Sequence, residues 1–246
     1  HVVQRGIWRA AHGAGFWRHA VEREKGGRTA AGKARIAPVG PFPTECGIYP
    51  VITEKFCLNG SSIRTLEQVL KAGIKIVQLR EKEYPKDRIL QMARAFREIT
   101  SRYRAMLIIN DHVDIALAVK ADGVHVGQED RRCAEIKRIA PRLVVGVSTH
   151  NIAEALKAKL DGADYINIGP VFETKTKETN YPPVGIDNMK KIAHAAGMPF
   201  SIMGGIKESN IRLVFEAGAR IIAMITEITM AEDPCEKAVS LNKMIE

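Results

Sequence analysis

The sequence predicts a single (β/α)8 barrel, an α/β fold, and three observations support this prediction. Eight short apolar runs rich in β-branched residues recur between residues 47 and 225. Amphipathic stretches with helical periodicity separate these runs, which is typical of parallel strands joined by helices. The pattern fills about 200 residues, the lower size limit of such a barrel. A doubly wound open sheet is the alternative, although no GxGxxG turn follows the first run.

The eight apolar runs are short enough to be single strands. In chain order they are GIYPVIT (47–53), IKIVQLR (74–80), AMLIIN (105–110), GVHV (123–126), LVVGVS (143–148), ADYINI (163–168), PFSIM (199–203) and RIIAMI (220–225).

Residues that begin and end helices lie between these runs. Ser62 is predicted to cap the first helix and Gly73 to end it. Pro85 suits the first turn of the second helix. Asn151 and Glu154 have the spacing of a capping box. The helices therefore alternate with the strands, as the barrel requires.

The first 46 residues differ from the rest in charge and composition. They carry eight Lys or Arg and three Asp or Glu, so they account for +5 of the net charge of +9. We predict that residues 1–46 are a disordered or loosely packed basic extension, with helical character over residues 7–24, and that residues 47–246 form the barrel. Targeting or partner binding is the alternative role, but transit peptides are rich in serine and none precedes Ser61.

Composition argues against several classes of protein. The remaining charge of +4, without interleaved aromatic residues, does not indicate a nucleic-acid-binding face and suits small anionic substrates. No apolar run reaches the roughly 20 residues of a membrane helix. The four cysteines lack metal-ligand spacing, so we expect reduced cysteines and a cytoplasmic location.

In a (β/α)8 barrel the reacting groups come from the C-terminal ends of the strands. Gln78, Arg80 and Lys82 alternate at the end of the second run, which places an amide and two cations on one side of the chain. The alternative is a solvated strand exit with ion pairs to Glu81 or Glu83. Charged side chains without a binding partner would be unfavourable there, because the adjoining strand is buried.

Acidic residues follow the next two strands. Asn110 and Asp111 end the third run, and Glu129 and Asp130 follow the fourth. A single aspartate at such a place is most simply a helix cap. Two carboxylates at neighbouring barrel positions, opposite Lys and Arg, instead suit a divalent ion that also binds substrate phosphates, and Mg²⁺ is the natural candidate.

The remaining strand ends supply hydroxyl groups and glycines. Ser148 ends the fifth run, with His150 nearby but without the spacing of a catalytic triad. GPVFETKTKET (169–179), crowded with threonine and lysine, follows the sixth. A glycine pair at 204–205 lets backbone amides approach a phosphate, and Thr226 ends the eighth. Two anion-binding regions are therefore predicted, for two phosphorylated substrates or one bisphosphate.

Five dispersed motifs over residues 47–246 resemble the thiamine phosphate synthase family. They are VQLREK, INDHVDIALAVKADGVHVGQED, GVSTH, ADYINIGPVFETKTK and MGGI. The resemblance implies a transferase with a (β/α)8 barrel and Mg²⁺ as cofactor. It would join 4-amino-2-methyl-5-hydroxymethylpyrimidine diphosphate to 4-methyl-5-(2-hydroxyethyl)thiazole phosphate and release diphosphate. The pyrimidine methylene carbon would ionise before the thiazole nitrogen attacks.

The resemblance also implies roles for individual residues. Arg80, Lys82 and Lys177 would be catalytic, through stabilisation of the leaving diphosphate, and Asp111 and Asp130 would bind the metal. The pyrimidine diphosphate would contact Gln78, Leu79, Arg80, Glu81, Lys82, Asn110, Ser148 and Lys177. The thiazole phosphate would contact Thr174, Thr176, Gly205, Ile225 and Thr226. Lys175, from the same loop, is also predicted to bind substrate. That loop, roughly 18 residues long, is a candidate lid.

Three positions depart from the family pattern. Glu173 stands where proline is common, Thr226 stands where serine is usual but keeps the hydroxyl group, and Glu227 stands where a small residue is expected. We expect the Glu227 carboxylate to face away from the phosphate, because like charges repel.

Two other functions remain as alternatives. One is a thiazole tautomerase-like enzyme, which would lack the metal and diphosphate groups. The other is a non-catalytic regulatory barrel that senses thiamine precursors. The expected partners are small-molecule substrates, with no nucleic acid or membrane, and a homodimer is compatible with the sequence.

Overall fold

The structure, a computed structural model, describes residues 41–174 and 181–246. The strands within these ranges pair in parallel in chain order, and the last closes on the first. They are β1 (Gly47–Ile52), β2 (Ile76–Leu79), β3 (Met106–Asn110), β4 (Gly123–Val126), β5 (Val144–Thr149), β6 (Tyr165–Ile168), β7 (Phe200–Ile202) and β8 (Ile221–Met224). The predicted (β/α)8 barrel is therefore confirmed, and the open sheet is excluded.

Helices follow the strands and surround the barrel. They are α1 (Ser62–Lys71), α2 (Lys86–Tyr103), α3 (Val113–Ala118), α4 (Cys133–Ile139), α5 (Ile152–Leu160), α6 (Gly185–Ala196), α7 (Ile211–Glu216), α8 (Thr226–Thr229) and α9 (Pro234–Lys243). Two short 3₁₀ turns, Glu54–Phe56 and Leu58–Gly60, connect β1 to α1.

The helix starts agree with the sequence at α5 but differ by one residue at α1 and α2. Pro85, predicted in the first turn of α2, is the N-cap residue that precedes Lys86. Ser61 caps α1, since its side chain accepts a hydrogen bond from Arg64 N at 3.2 Å. The predicted cap, Ser62, is instead the first helical residue and is buried. Asn151 caps α5 as predicted, with Oδ1 2.9 Å from Glu154 N. Two adjacent serines could cap α1, and the extended backbone at Ser61 makes that residue the N-cap.

Two apolar clusters make up the core. The larger one lies between the strands and the helices. The smaller one takes alternate strand positions and no helix residue, so it fills the barrel interior. Its buried members are Phe42, Tyr49, Val51, Ile76, Met106, Ile108, Val144, Tyr165, Ile221 and Ala223.

Phe42 belongs to the barrel interior although it precedes β1. It is 5% exposed, and its ring stacks on that of Tyr165 with centroids 3.6 Å apart and planes 4° from parallel. The described part of the predicted extension, residues 41–46, therefore contributes a core side chain. Residues 1–40, including the helix predicted over 7–24, lie outside the described residues.

Two further findings concern membrane insertion and thiol chemistry. Among the residues described here, no helix is long and apolar enough to cross a bilayer. All four cysteines fall in the described ranges, and each is a free thiol.

Candidate active site

The C-terminal ends of the strands meet at one mouth of the barrel, beside a cavity of about 690 Å³. Residues that follow four different strands line this cavity. Those predicted from the sequence are Ser148, Thr174, Gly205, Ile225 and Thr226. The structure thus brings together the described residues to which the resemblance assigned the thiazole phosphate, with Ser148 at their edge.

The loops after β6 and β7 are joined to each other, and this explains the glycine pair. Phe172 N donates to Gly204 O at 3.0 Å. Gly205 has φ +64°, and a methyl group on it would lie 2.3 Å from Glu173 O. Only glycine combines this left-handed backbone with so close an approach. The glycines therefore serve loop packing as well as the ligand approach that the sequence suggested.

The β6–α6 loop is only partly described. Lys175, Thr176 and Lys177 lie outside the described residues, so their roles and the predicted lid stay predictions. Tyr181, the next described residue, stacks on His150 with ring centroids 3.5 Å apart. Both rings line the cavity. The sequence did not indicate a role for Tyr181, because nothing in its local pattern points to His150, which lies 31 residues earlier in the loop after β5.

Asp111 and Asp130 are in contact at the ends of β3 and β4. Each carboxyl group shifts the pKa of the other, so the two lie close together. Burial raises the pKa of Asp111, and the neighbouring Asp130 adds to this increase. Burial also acts on Asp130, but the hydrogen bond from Gly127 N, at 2.7 Å, and the interaction with Asp111 outweigh burial and lower its pKa. The two carboxyl groups therefore form one acidic pair at the ends of β3 and β4.

This carboxyl pair is suited to a hard divalent cation, because two carboxylates with oxygen donors lie side by side. Lys82 Nζ already binds Asp111, so cationic charge is held on the carboxyl pair. Glu129, the other acid after β4, is exposed. No group of three or more His, Cys, Asp or Glu that could hold a metal occurs in the described ranges. A metal here would therefore complete its shell with substrate phosphate and water.

An amide and a guanidinium adjoin the carboxyl pair. Asn110 is 6% exposed, and its Nδ2 is the single buried side-chain nitrogen or oxygen, within the described part of the chain, that has no hydrogen-bond partner. A buried donor without a partner is costly, so this one indicates a ligand. Burial lowers the pKa of Arg80, while Asp111 and Glu81 oppose that change. Arg80 remains a cation close to the acidic pair.

The side chains from Gln78 to Lys82 lie in different environments, because successive strand residues point to opposite faces of the sheet. Gln78 is 3% exposed and bonded within the barrel interior. Leu79 packs into the core between barrel and helices. The Glu81 carboxylate accepts from Glu54 N at 2.7 Å, so it fixes the loop after β1. For Leu79 and Glu81 the substrate contact implied by resemblance is thus available to the main chain, while the side chains serve packing.

Glu227 belongs to the cavity wall, but its charge is compensated. Its carboxylate accepts from Glu208 N at 3.2 Å and lies 3.8 Å from Lys237 Nζ. Glu208 and Glu227 together raise the pKa of Lys237, with Glu208 as the larger cause. The carboxylate that the sequence marked as unfavourable for a phosphate is therefore held by a lysine.

Comparison with known proteins identifies relatives over most of the barrel. Thiamine-phosphate synthase of Halalkalibacterium halodurans is 43% identical over 187 residues, which cover 76% of this chain and 89% of the relative. Thiamine-phosphate synthase of Caldicellulosiruptor bescii is 42% identical over 199 residues, covering 80% and 91%.

Solved structures and a family model agree with these relatives. Thiamine phosphate pyrophosphorylase from Pyrococcus furiosus has a TM-score of 0.75 and 32% identity, over 81% of this chain and 95% of that one. A 3-hexulose-6-phosphate synthase, with a TM-score of 0.59 and 17% identity, shares the fold. The family model described as thiamine monophosphate synthase matches residues 48–228. The chain therefore belongs to the thiamine monophosphate synthase family, whose members are transferases.

Proposed function

We propose that the chain condenses 4-amino-2-methyl-5-hydroxymethylpyrimidine diphosphate with 4-methyl-5-(2-hydroxyethyl)thiazole phosphate, giving thiamine phosphate and diphosphate. The observation that carries this proposal is the pairing of two anion sites at one barrel mouth. A group of cationic and acidic side chains follows β2 to β4, and a cavity lined by hydroxyl groups and glycine lies at the ends of β5 to β8. The relatives at about 40% identity are named for the same reaction.

The diphosphate is the leaving group, so the protein must stabilise the charge that develops on it. Arg80 and Lys82 are the described cations at this place, and Lys177 is a proposed third from the undescribed loop segment. The partial burial of Arg80 strengthens its interaction with an anion, because screening by water is reduced. Asn110 Nδ2 supplies a donor that the described residues leave unused. The attacking thiazole nitrogen carries no proton, so no general base is required.

We propose that Asp111 and Asp130 hold Mg²⁺. When bound, the ion supplies positive charge to the diphosphate oxygens. Lys82 is bonded to Asp111, so it places a cation beside this acidic pair. The two carboxylates thus bind the metal while Arg80 and Lys82 orient the diphosphate.

We propose that the thiazole phosphate occupies the cavity between the loops after β6, β7 and β8. Thr174 and Thr226 offer hydroxyl groups there, and Gly205 allows close backbone approach. Ile225 supplies an apolar wall for the thiazole ring. Ser148, which also lines this cavity, stands between the two substrates.

The test is turnover by the purified chain with both substrates and Mg²⁺. We expect thiamine phosphate and diphosphate in equal amounts, measured by mass spectrometry and a coupled diphosphate assay. If the thiazole phosphate isomerises while no thiamine phosphate forms, the tautomerase alternative replaces this proposal. If neither product forms but the precursors bind, the regulatory alternative does.

We further propose that the barrel alone carries the activity, as a cytoplasmic enzyme and in a homodimer. A truncated chain beginning at residue 41, which keeps the core residue Phe42, should retain full turnover. A regulator that acts through the extension would lose its function in the same truncation. Light scattering of the truncated chain gives the mass that decides between monomer and dimer.

A further inference from the structure

A chain of hydrogen bonds crosses the barrel interior beneath the proposed site. Gln78 Nε2 lies 2.8 Å from the Tyr49 phenol oxygen, which lies 3.3 Å from that of Tyr165. The Tyr165 oxygen lies 3.0 Å from His125 Nδ1, and His125 Nε2 lies 2.9 Å from Ser148 Oγ. Both ends of the chain, Gln78 and Ser148, are side chains assigned to substrate binding. The three residues between them have no assigned role.

The interior chain is shielded from water. Tyr165 and Tyr49 are 0% and 1% exposed, and His125 is 6% exposed. Phe42 covers the Tyr165 ring from the far end of the barrel. Burial raises the pKa of both tyrosines, so both phenols keep their protons throughout the physiological pH range. Each phenol therefore offers one hydrogen to one partner.

The donor at Gln78 sets the direction of every following bond. An amide nitrogen donates and does not accept, so Tyr49 receives a hydrogen from Gln78. The hydrogen of Tyr49 then points to the Tyr165 oxygen. Tyr165, having accepted that bond, points its own hydrogen to His125 Nδ1. The direction runs from β2 through β1 and β6 to β4.

The histidine carries this direction to the second site residue. Because Nδ1 accepts the hydrogen of Tyr165, the ring hydrogen of His125 lies on Nε2. That hydrogen points to Ser148 Oγ. Ser148 therefore accepts from below, and its own hydroxyl hydrogen remains to be donated at the barrel mouth. At the other end, Gln78 uses its nitrogen to bond Tyr49, which leaves Oε1 as the atom that can accept from a substrate.

We propose that Tyr49, Tyr165 and His125 are positioning residues that fix Gln78 as an acceptor and Ser148 as a donor toward the substrate. This rests on the proposed function, in which an acceptor suits the exocyclic amino group of the pyrimidine and a donor suits a diphosphate oxygen. Neither orientation is imposed by the isolated side chains, since an amide can flip and a hydroxyl can rotate. The interior chain removes both freedoms before the substrate binds.

The tautomer of His125 tests the direction without any turnover. In the ¹⁵N-labelled chain, long-range ¹H–¹⁵N correlations of the assigned His125 ring should show the hydrogen on Nε2. A hydrogen on Nδ1 would overturn the proposal, whatever reaction the chain performs. Gln78→Glu should reverse the chain, because a carboxylate accepts from Tyr49, and should move the hydrogen to Nδ1. An unchanged tautomer in a folded Gln78→Glu chain also counts against the proposal.

Tyr165→Phe tests positioning in the reaction, because it keeps the ring and removes the central hydroxyl. We expect kcat/KM for the pyrimidine diphosphate to fall about tenfold, since a buried hydrogen bond is lost. The KM for the thiazole phosphate should change less than twofold. Tyr103→Phe, which removes a hydroxyl at the end of α2, is the matched control and should leave both constants unchanged. Equal losses for both substrates would indicate a structural role only and refute positioning.

The outcome remains decisive if Tyr165→Phe does not fold. Tyr49→Phe breaks the same chain one bond earlier and should give the same selective loss. If the wild-type chain shows no synthase activity, calorimetric titration with the pyrimidine diphosphate replaces kcat/KM as the readout. Unchanged affinity in a folded Tyr49→Phe chain then refutes the proposal, while the proposed function fails separately.

Discussion

Replacing Asp122 by alanine should destabilise the barrel by about 3 kcal/mol, because it leaves the buried Arg97 guanidinium without its carboxylate partner. Asp122 Oδ2 accepts from Arg97 at 2.7 Å and from Leu107 N at 2.8 Å. The Arg97 and Asp122 side chains are 6% and 3% exposed. Loss of one partner of such a pair costs about 3–5 kcal/mol, and we take the lower end because Arg97 keeps backbone carbonyl acceptors. The melting temperature should fall by about 6–12 °C.

Asp164 provides a matched control, because it makes the same two contacts with less burial. Its Oδ2 accepts from Val145 N at 2.6 Å and from Lys137 Nζ at 2.5 Å. The Asp164 and Lys137 side chains are 35% and 22% exposed. Asp164→Ala should therefore cost only about 1–2 kcal/mol. Urea unfolding followed by circular dichroism measures both, and equal losses would refute burial as the deciding factor.

Three further predictions concern the proposed site. Asp130→Asn should raise the Mg²⁺ concentration for half-maximal activity about tenfold or more, because a metal ligand is weakened. The KM for the thiazole phosphate should stay within twofold. Equal effects on both quantities would contradict the metal role. Lys237→Met should raise that KM about two- to fivefold by unpairing Glu227, and Glu227→Gln in the same chain should restore it. Gly205→Ala should lower the melting temperature and raise the same KM, since the new methyl group meets Glu173 O.

The glycine substitution has a control with the same backbone angle. Gly60 has φ +63°, against +64° for Gly205, but no atom lies within 4 Å of a Cβ placed on it. Gly60→Ala should therefore show only the cost of the left-handed backbone, about 1–2 kcal/mol. A larger loss at Gly205 isolates the contact between the loops after β6 and β7. Equal losses would mean that those loops yield to the methyl group.

The sequence predicted the strands and the acidic pair because both depend on local pattern and chain order. Each apolar run became a strand within two residues, since β-branched alternation is a local property. Asp111 and Asp130 follow consecutive strands, so barrel order alone placed them together. Lys82 bonds Asp111 because it follows β2, the strand that pairs with β3.

The interior chain was not predictable in the same way. Alternation shows that Tyr49 and Tyr165 face inward, but they are 116 residues apart on strands that do not pair. Whether their oxygens meet depends on how far each side chain reaches across the barrel. Phe42 was assigned to the extension because nothing in its sequence neighbourhood is periodic. Its place under Tyr165 is fixed by three-dimensional packing alone.

The order of the strands divides the chemistry along the chain. The charged groups Arg80, Lys82, Asp111 and Asp130 follow β2 to β4, while the cavity proposed for the thiazole phosphate lies at the ends of β5 to β8. Ser148, on β5, stands where the two halves adjoin. The proposed interior chain would make its hydroxyl direction depend on Gln78, at the opposite end of the charged half. A substitution at Gln78 would then alter the donor pattern at Ser148, so we expect that the two halves cannot be redesigned independently.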